Sequence, residues 1–278
     1  SLGKTSKSIL KLSDFRGDYN AAVQDPTQWT EWLRLRLGIW KTAEAAWLDQ
    51  LGGVAAWDVG APARRGRRTR VDCWEDFSLE SLRESGADCW AGFDGATHHD
   101  TTAWVLIFAD PEQGEIIRIV PYYWLPEAEA MRVGAKVPYQ HWADQGLITL
   151  TPGDAVDYGR VKADVLQICD GLNLQGFAFD PLFQAEWLTQ QLQDELGATR
   201  FEFRQTITQF SPPMKTLGRL IAERKARHNG HPIFTWQLGH LACYEDCNGN
   251  QRPVRQKRGD VRTIDGPVAA IMGIGLAT

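Results

Sequence analysis

Three aspartates stand in otherwise apolar sequence: Asp94 in Trp90-Ala-Gly-Phe-Asp-Gly, Asp180 in Gly176-Phe-Ala-Phe-Asp-Pro, and Asp265 in Thr263-Ile-Asp-Gly-Pro-Val. Removing an ionised carboxylate from water costs several kcal/mol unless something binds it. Taken singly, an aspartate in such a place is most often a helix cap or a turn residue. Brought together, three carboxylates repel one another and hold their protons more tightly unless cations neutralise them. The cluster would then be a metal site or a proton-sharing site. Oxygen donors without accompanying His or Cys favour Mg2+ or Mn2+. Asp100 is a candidate auxiliary ligand if the Gly95-Ala-Thr97 break bulges the strand, and a surface turn residue otherwise. The neighbouring His98 and His99 read as exposed imidazoles in a loop.

The elements that must position these acids follow from the apolar spacing. Leu33, Leu37, Trp40, Trp47 and Leu51 recur at helical steps, so residues 1–60 read as helical up to Gly52-Gly53. Residues 61–85 begin with the Pro, Gly and Arg content of an exposed connecting loop, and 86–278 read as the main domain. Trp104–Phe108 and Glu115–Trp124 flank the turn residues Asp110-Pro-Glu-Gln-Gly114 and predict a β-hairpin, with a short third strand at Ile148–Leu150. A helix over Asp157–Cys169, a buried strand over Gly176–Asp180, a helix at Leu188–Leu196, a strand over Phe201–Ile207 and a helix through Met214, Leu217 and Ile221 follow. Asp246-Cys-Asn-Gly-Asn250 marks a second hairpin, and Asp265 opens the final apolar element. Antiparallel strands followed by alternating helices and strands predict an α/β fold with a mixed sheet and helices on its faces.

Composition narrows the class. A chain of 278 residues with 43% hydrophobic content can bury a large core. No segment has the roughly 18 consecutive apolar residues of a membrane span, and the N-terminus is unlike a signal peptide, so a cytoplasm is the expected compartment. The five cysteines have no disulfide-framework spacing and read as reduced thiols. His228, His231, His240, Cys243 and Cys247 crowd one region, yet a Cys-x3-Cys pair without a second half-site does not predict zinc. The net charge of -5 conceals two basic stretches. One runs through Arg64, Arg65, Arg67, Arg68 and Arg70, the other through Arg252, Arg255, Lys257, Arg258 and Arg262. Both are candidate phosphate contacts, although the first reads equally well as a solvated loop.

Eight stretches, in order, resemble the C-terminal nuclease domain of the large terminase subunit of tailed double-stranded DNA bacteriophages. They are Ser1-Leu-Gly-Lys-Thr5, Gly92–Phe108, Trp142–Gly153, Phe177–Leu182, Phe210–Lys215, His228–Ile233, Asn248–Pro253 and Thr263–Ala270. The resemblance implies an RNase H-like fold with a β-hairpin insertion, in which Asp94, Asp180 and Asp265 form a catalytic triad holding two Mg2+ or Mn2+ ions. It implies a DNA endonuclease of low sequence specificity that cuts concatemeric phage DNA during packaging in the host cytoplasm. Double-stranded DNA, the ATPase domain, the small terminase subunit and the portal are the implied partners. Residues 1–60 resemble the helical linker from that ATPase. Gly3-Lys4-Thr5 lacks the strand and glycine that must precede a complete phosphate-binding loop, so the chain reads as a fragment without its motor and no ATP hydrolysis is expected. Two alternatives stay open: another RNase H-like nuclease such as a junction resolvase or transposase, or a non-catalytic DNA-binding or docking module.

Overall fold

The strand that carries Asp94 stops there. β1 (Asp88–Asp94) is followed by β2 (Thr102–Asp110), which runs back antiparallel beside it with Asp94 opposite Ala103 and Cys89 opposite Phe108. The chain therefore reverses between β1 and β2, which are two antiparallel strands and not one bulged strand. The reversal is pinned by paired bonds: Ala96 N donates to Thr102 Oγ1 at 3.1 Å, and Thr102 Oγ1 donates to Ala96 O at 3.2 Å. The computed structural model describes residues 47–51, 73, 75–96, 98–110, 116–181, 186–256 and 261–278. The first basic stretch, most of the N-terminal helical reading, the turn at 111–115, Lys257 and Arg258 lie outside the described residues.

β3 (Ile116–Pro126) completes an antiparallel meander with β2, as the apolar runs on either side of the turn predict. β5 (Asn173–Phe179) then joins β1 in parallel, and β6 (Thr199–Glu202) joins β5 in parallel. β4 (Thr149–Thr151) and β7 (Ala226–His228) pair with opposite ends of β3. The sheet order is β4-β3-β2-β1-β5-β6, with β7 beside β3. β8 (Leu241–Glu245) and β9 (Gln251–Arg255) form a separate antiparallel hairpin. The predicted strand at Phe201–Ile207 is shorter and earlier than expected, because Thr206 accepts a bond from Gln209 N and caps the next helix at that point.

Helices cover both faces of the sheet, which explains the nearly continuous apolar run of β2. Trp104, Leu106 and Phe108 pack with α5 (Tyr158–Cys169) and α6 (Glu186–Leu196). Ala103, Val105 and Ile107 pack on the other side with α7 (Ile207–Ala222), α8 (Pro232–Leu238) and α9 (Asp265–Ala277). Shorter helices precede these in the chain: α1 (Trp47–Gln50), α2 (Leu79–Glu84), α3 (Glu127–Val133) and α4 (Tyr139–Asp144). α2 falls within the predicted connecting loop and is fixed by a capping box between Ser78 and Ser81.

α9 is the central helix, buried from Asp265 to Ile274. It crosses β1 at backbone contact: a Cβ on Gly92 would lie 1.8 Å from Ala269 O, and one on Gly273 would lie 3.0 Å from Gly92 N. Only glycine permits that crossing, and the crossing sets where the helix begins.

Candidate active site

The three aspartates converge for reasons of register. From the Gly92–Ala269 crossing, Asp94 lies two residues up a strand, about 6.6 Å, and Asp265 lies four residues back along a helix, about 6 Å. The two displacements are nearly equal, so the end of β1 and the start of α9 reach the same rim. Phe93 pairs with Phe179 across the parallel β1–β5 ladder, which makes Asp94 and Asp180 the next neighbours along it. Strand spacing places their backbones about 4.8 Å apart. Asp180 and Asp265 are buried, and Asp94 is half-buried.

A cavity of about 410 Å³ opens at this rim, lined by Asp94, Asp100 and Asp265 together with His98, His99, Gln205 and Arg255. Each carboxylate is held differently. Asp94 Oδ1 accepts a bond from Gln205 Nε2 at 3.3 Å. Asp265 Oδ2 accepts from Thr101 N at 3.1 Å and from the Thr101 hydroxyl. Its other oxygen faces Arg255, whose Nη2 is 3.8 Å away and lies 2.7 Å from Asp100 Oδ1. Behind them Gln237 Nε2 donates to Thr101 Oγ1 at 2.9 Å and to Thr263 Oγ1 at 2.6 Å.

The electrostatics follow from crowding. Burial, followed by the charges of Asp265, Asp180 and Asp100, holds the Asp94 carboxyl well above the usual carboxylate range, and the Gln205 bond only partly opposes this. Asp265 is pushed up to about 7, again by burial first and then by Asp100, with Thr101 and Arg255 pulling the other way. Among the described residues lining the cavity, one guanidinium stands against three carboxylates. Hard oxygen donors with an excess of negative charge fit a divalent cation such as Mg2+ or Mn2+. Among the described residues, however, no three acidic, His or Cys side chains already stand close enough to hold an ion. Arg255 lies against Asp100 Oδ1 and Asp265 Oδ1, oxygens that an ion would take.

Asp94, Asp180 and Asp265 are thus brought to one rim, and Asp100 joins them from the reversal without any bulge. His98 and His99 are exposed in the loop, as read, and they also line the same cavity, where each ring has a partner. His98 Nδ1 is 2.9 Å from Asp154 O, and His99 Nδ1 is 3.1 Å from the buried Glu129, which Arg132 grips with two bonds of 2.6 Å. Side-chain alternation on β9 turns Pro253 and Arg255 to the cavity and Arg252 away from it, where Arg252 lies 5.3 Å over the Tyr244 ring. Thr101, Gln205, Gln237 and Thr263 went unread in the sequence. Only Gln205 had a usable signal: it follows β6, the third parallel strand, whose C-terminal end lies beside that of β5 and next but one to that of β1.

A mixed sheet of this order, with acids at the ends of adjacent parallel strands and at the start of the crossing helix, defines an RNase H-like α/β domain. The model of the terminase large subunit endonuclease domain matches residues 5–278, and the chain belongs to that family. It is 30% identical over 195 residues to the terminase large subunit of Enterobacteria phage HK97, covering 68% of this chain and 37% of that one. It is 27% identical over 254 residues to protein YmfN of Escherichia coli K12, covering 87% of this chain and 50% of the relative. The chain therefore spans between about a third and a half of these relatives. The crystal structure of the HK97 large terminase superposes with a TM-score of 0.59 at 27% identity, over 72% of this chain and 43% of that chain.

Proposed function

We propose that this domain is a divalent-metal-dependent DNA endonuclease that cleaves concatemeric phage DNA during genome packaging, by two-ion phosphodiester hydrolysis. The supporting observation is the convergence of Asp94, Asp180 and Asp265 on one rim, with Asp94 and Asp265 held above the usual carboxylate range by burial and mutual repulsion. Asp94, Asp180 and Asp265 would hold the ions, with Asp100 as an auxiliary ligand. Bound Mg2+ or Mn2+ would supply an activated water and neutralise charge on the leaving oxygen.

The chain's own groups then orient the site. Gln205 fixes one oxygen of Asp94, and Thr101 fixes one of Asp265. Pro253 and Arg255 close the cavity from the hairpin side. Arg252 and Arg255, with Lys257, Arg258, Arg64, Arg65, Arg67 and Arg68, are assigned to backbone phosphates, which position DNA without reading its sequence. Residues 1–60 are assigned to the linker from an ATPase domain. The ATPase, the small terminase subunit and the portal in the infected cell's cytoplasm would choose where and when to cut. No described helix is long and apolar enough to cross a membrane.

Plasmid nicking tests the reading. Cleavage with Mn2+ that disappears in Asp94→Ala and Asp265→Ala supports it, whereas DNA binding without metal-dependent cleavage refutes it. Preferential cutting of branched DNA would instead indicate a resolvase.

A further inference from the structure

Gln237 is fully buried on α8, outside the cavity, yet its amide faces the residue that grips Asp265. Gly266 N can only donate, and it donates to Gln237 Oε1 at 2.8 Å. That fixes the orientation of the amide, so Nε2 must be the donor to Thr101 Oγ1 and Thr263 Oγ1. Thr101 Oγ1, having accepted from Gln237, has its own hydrogen left to give; of the two oxygens within reach, Thr263 Oγ1 at 3.3 Å and the closer Asp265 Oδ2, the carboxylate is the stronger acceptor. The Thr101 backbone N–H arrives at the same oxygen. Gly266 is part of the device: a Cβ there would lie 2.7 Å from Gln237 Oε1 and 2.0 Å from the Tyr123 hydroxyl, so a larger residue would force the peptide and the amide apart.

We propose that Gln237 is a positioning residue for Asp265. It sets the direction of the Thr101 hydroxyl so that Asp265 Oδ2 is committed to the protein, and Oδ1 alone is presented to the cavity. The assignment rests on the reading of Asp265 as a metal ligand. A side chain with one donor end and one acceptor end is required. Glutamate has nearly the same shape, but once ionised it would accept from Thr101 and turn that hydrogen away from Asp265. Methionine fills the space and makes neither bond.

Calorimetric titration of the full chain with Mn2+ tests this without any cleavage assay. Gln237→Met, Gln237→Glu and Thr101→Val are each expected to weaken Mn2+ binding by about tenfold, equivalent to about 1.4 kcal/mol. Thr101→Ser, which keeps the hydroxyl, should match wild type. The double variant Gln237→Met/Thr101→Val should lose no more than either single change, because both act through one hydroxyl. Additive losses, or wild-type affinity in both Gln237→Glu and Gln237→Met, would overturn the proposal. The glutamate variant preserves volume and covers the case in which the methionine variant does not fold. If wild type itself gave no Mn2+ heat, the metal reading would fall and this inference with it. Heat that is lost in Asp94→Ala but unchanged in the Gln237 variants would sink this inference alone.

Discussion

Arg255→Gln should bind Mn2+ more tightly than wild type. The Arg255 guanidinium lies 2.7 Å from Asp100 Oδ1 and 3.8 Å from Asp265 Oδ1, the oxygens an ion entering the cavity would seek. Arginine does not release its proton, so it cannot yield by becoming neutral. Singly and doubly charged cations about 5 Å apart repel by about 1.7 kcal/mol in bulk water and by about 7 kcal/mol at an effective dielectric of 20. The site is partly open to solvent, so even the smaller figure, roughly twentyfold in affinity, is a reasonable floor. Without metal the same substitution removes a partly exposed ion pair and leaves two carboxylates facing each other, lowering stability by about 1 kcal/mol.

The signature is two effects of opposite sign, read by calorimetry with Mn2+ and by chemical denaturation in chelator. Arg255→Lys keeps the charge and should shift affinity much less. If Arg255→Gln bound Mn2+ more weakly, the guanidinium would be gathering the carboxylates for the ion rather than competing with it, and the electrostatic reasoning would be wrong.

Acidity offers a second test. A carboxyl whose folded pKa is raised binds more protons in the folded chain between its unfolded value, about 3.9, and its folded one. For Asp265 the upper limit is about 7, so metal-free stability should fall as pH rises across that interval, and saturating Mn2+ should reverse the trend. Gly92→Ala places a methyl where Ala269 O stands and should cost at least about 3 kcal/mol in urea denaturation, since backbone rather than a flexible side chain must move. Glu129→Gln weakens the paired bonds from Arg132 and the tie to His99, and should loosen residues 98–100; amide exchange there should rise while β1 stays protected.

The sequence made the acids legible because each carboxylate interrupts an apolar run, and burying a charge has few explanations. Sheet class was legible for the same reason: residues 103–108 are apolar on both faces, and that requires helices above and below. The reversal at 95–101 was harder, since a polar interruption of seven residues fits a bulge or a turn until the Asp94–Ala103 pairing is known. The place of Arg255 was beyond reach. Its charge predicts a phosphate partner as readily as a carboxylate, and the choice depends on which face of β9 meets the cavity. Gln237 and Thr101 are uncharged and sit in ordinary surroundings, so their significance lies entirely in a contact across 136 positions.

These differences have one physical origin. Charged groups advertise themselves because solvation penalises their burial, whereas the residues that orient them gain only one or two hydrogen bonds and leave little trace in composition. The glycines occupy an intermediate place. Gly92 and Gly273 bear no chemistry, but they let α9 approach β1 closely enough for a strand step and a helix step of similar length to bring Asp94 and Asp265 together. If that crossing is what builds the site, Gly273→Ala should reduce Mn2+ affinity although residue 273 lies two helical turns from Asp265. Gly275→Ala, where a Cβ meets only ordinary contacts at 3.5 Å, should leave it unchanged. Equal effects of the two substitutions would mean that the rim is set by something other than the helix crossing.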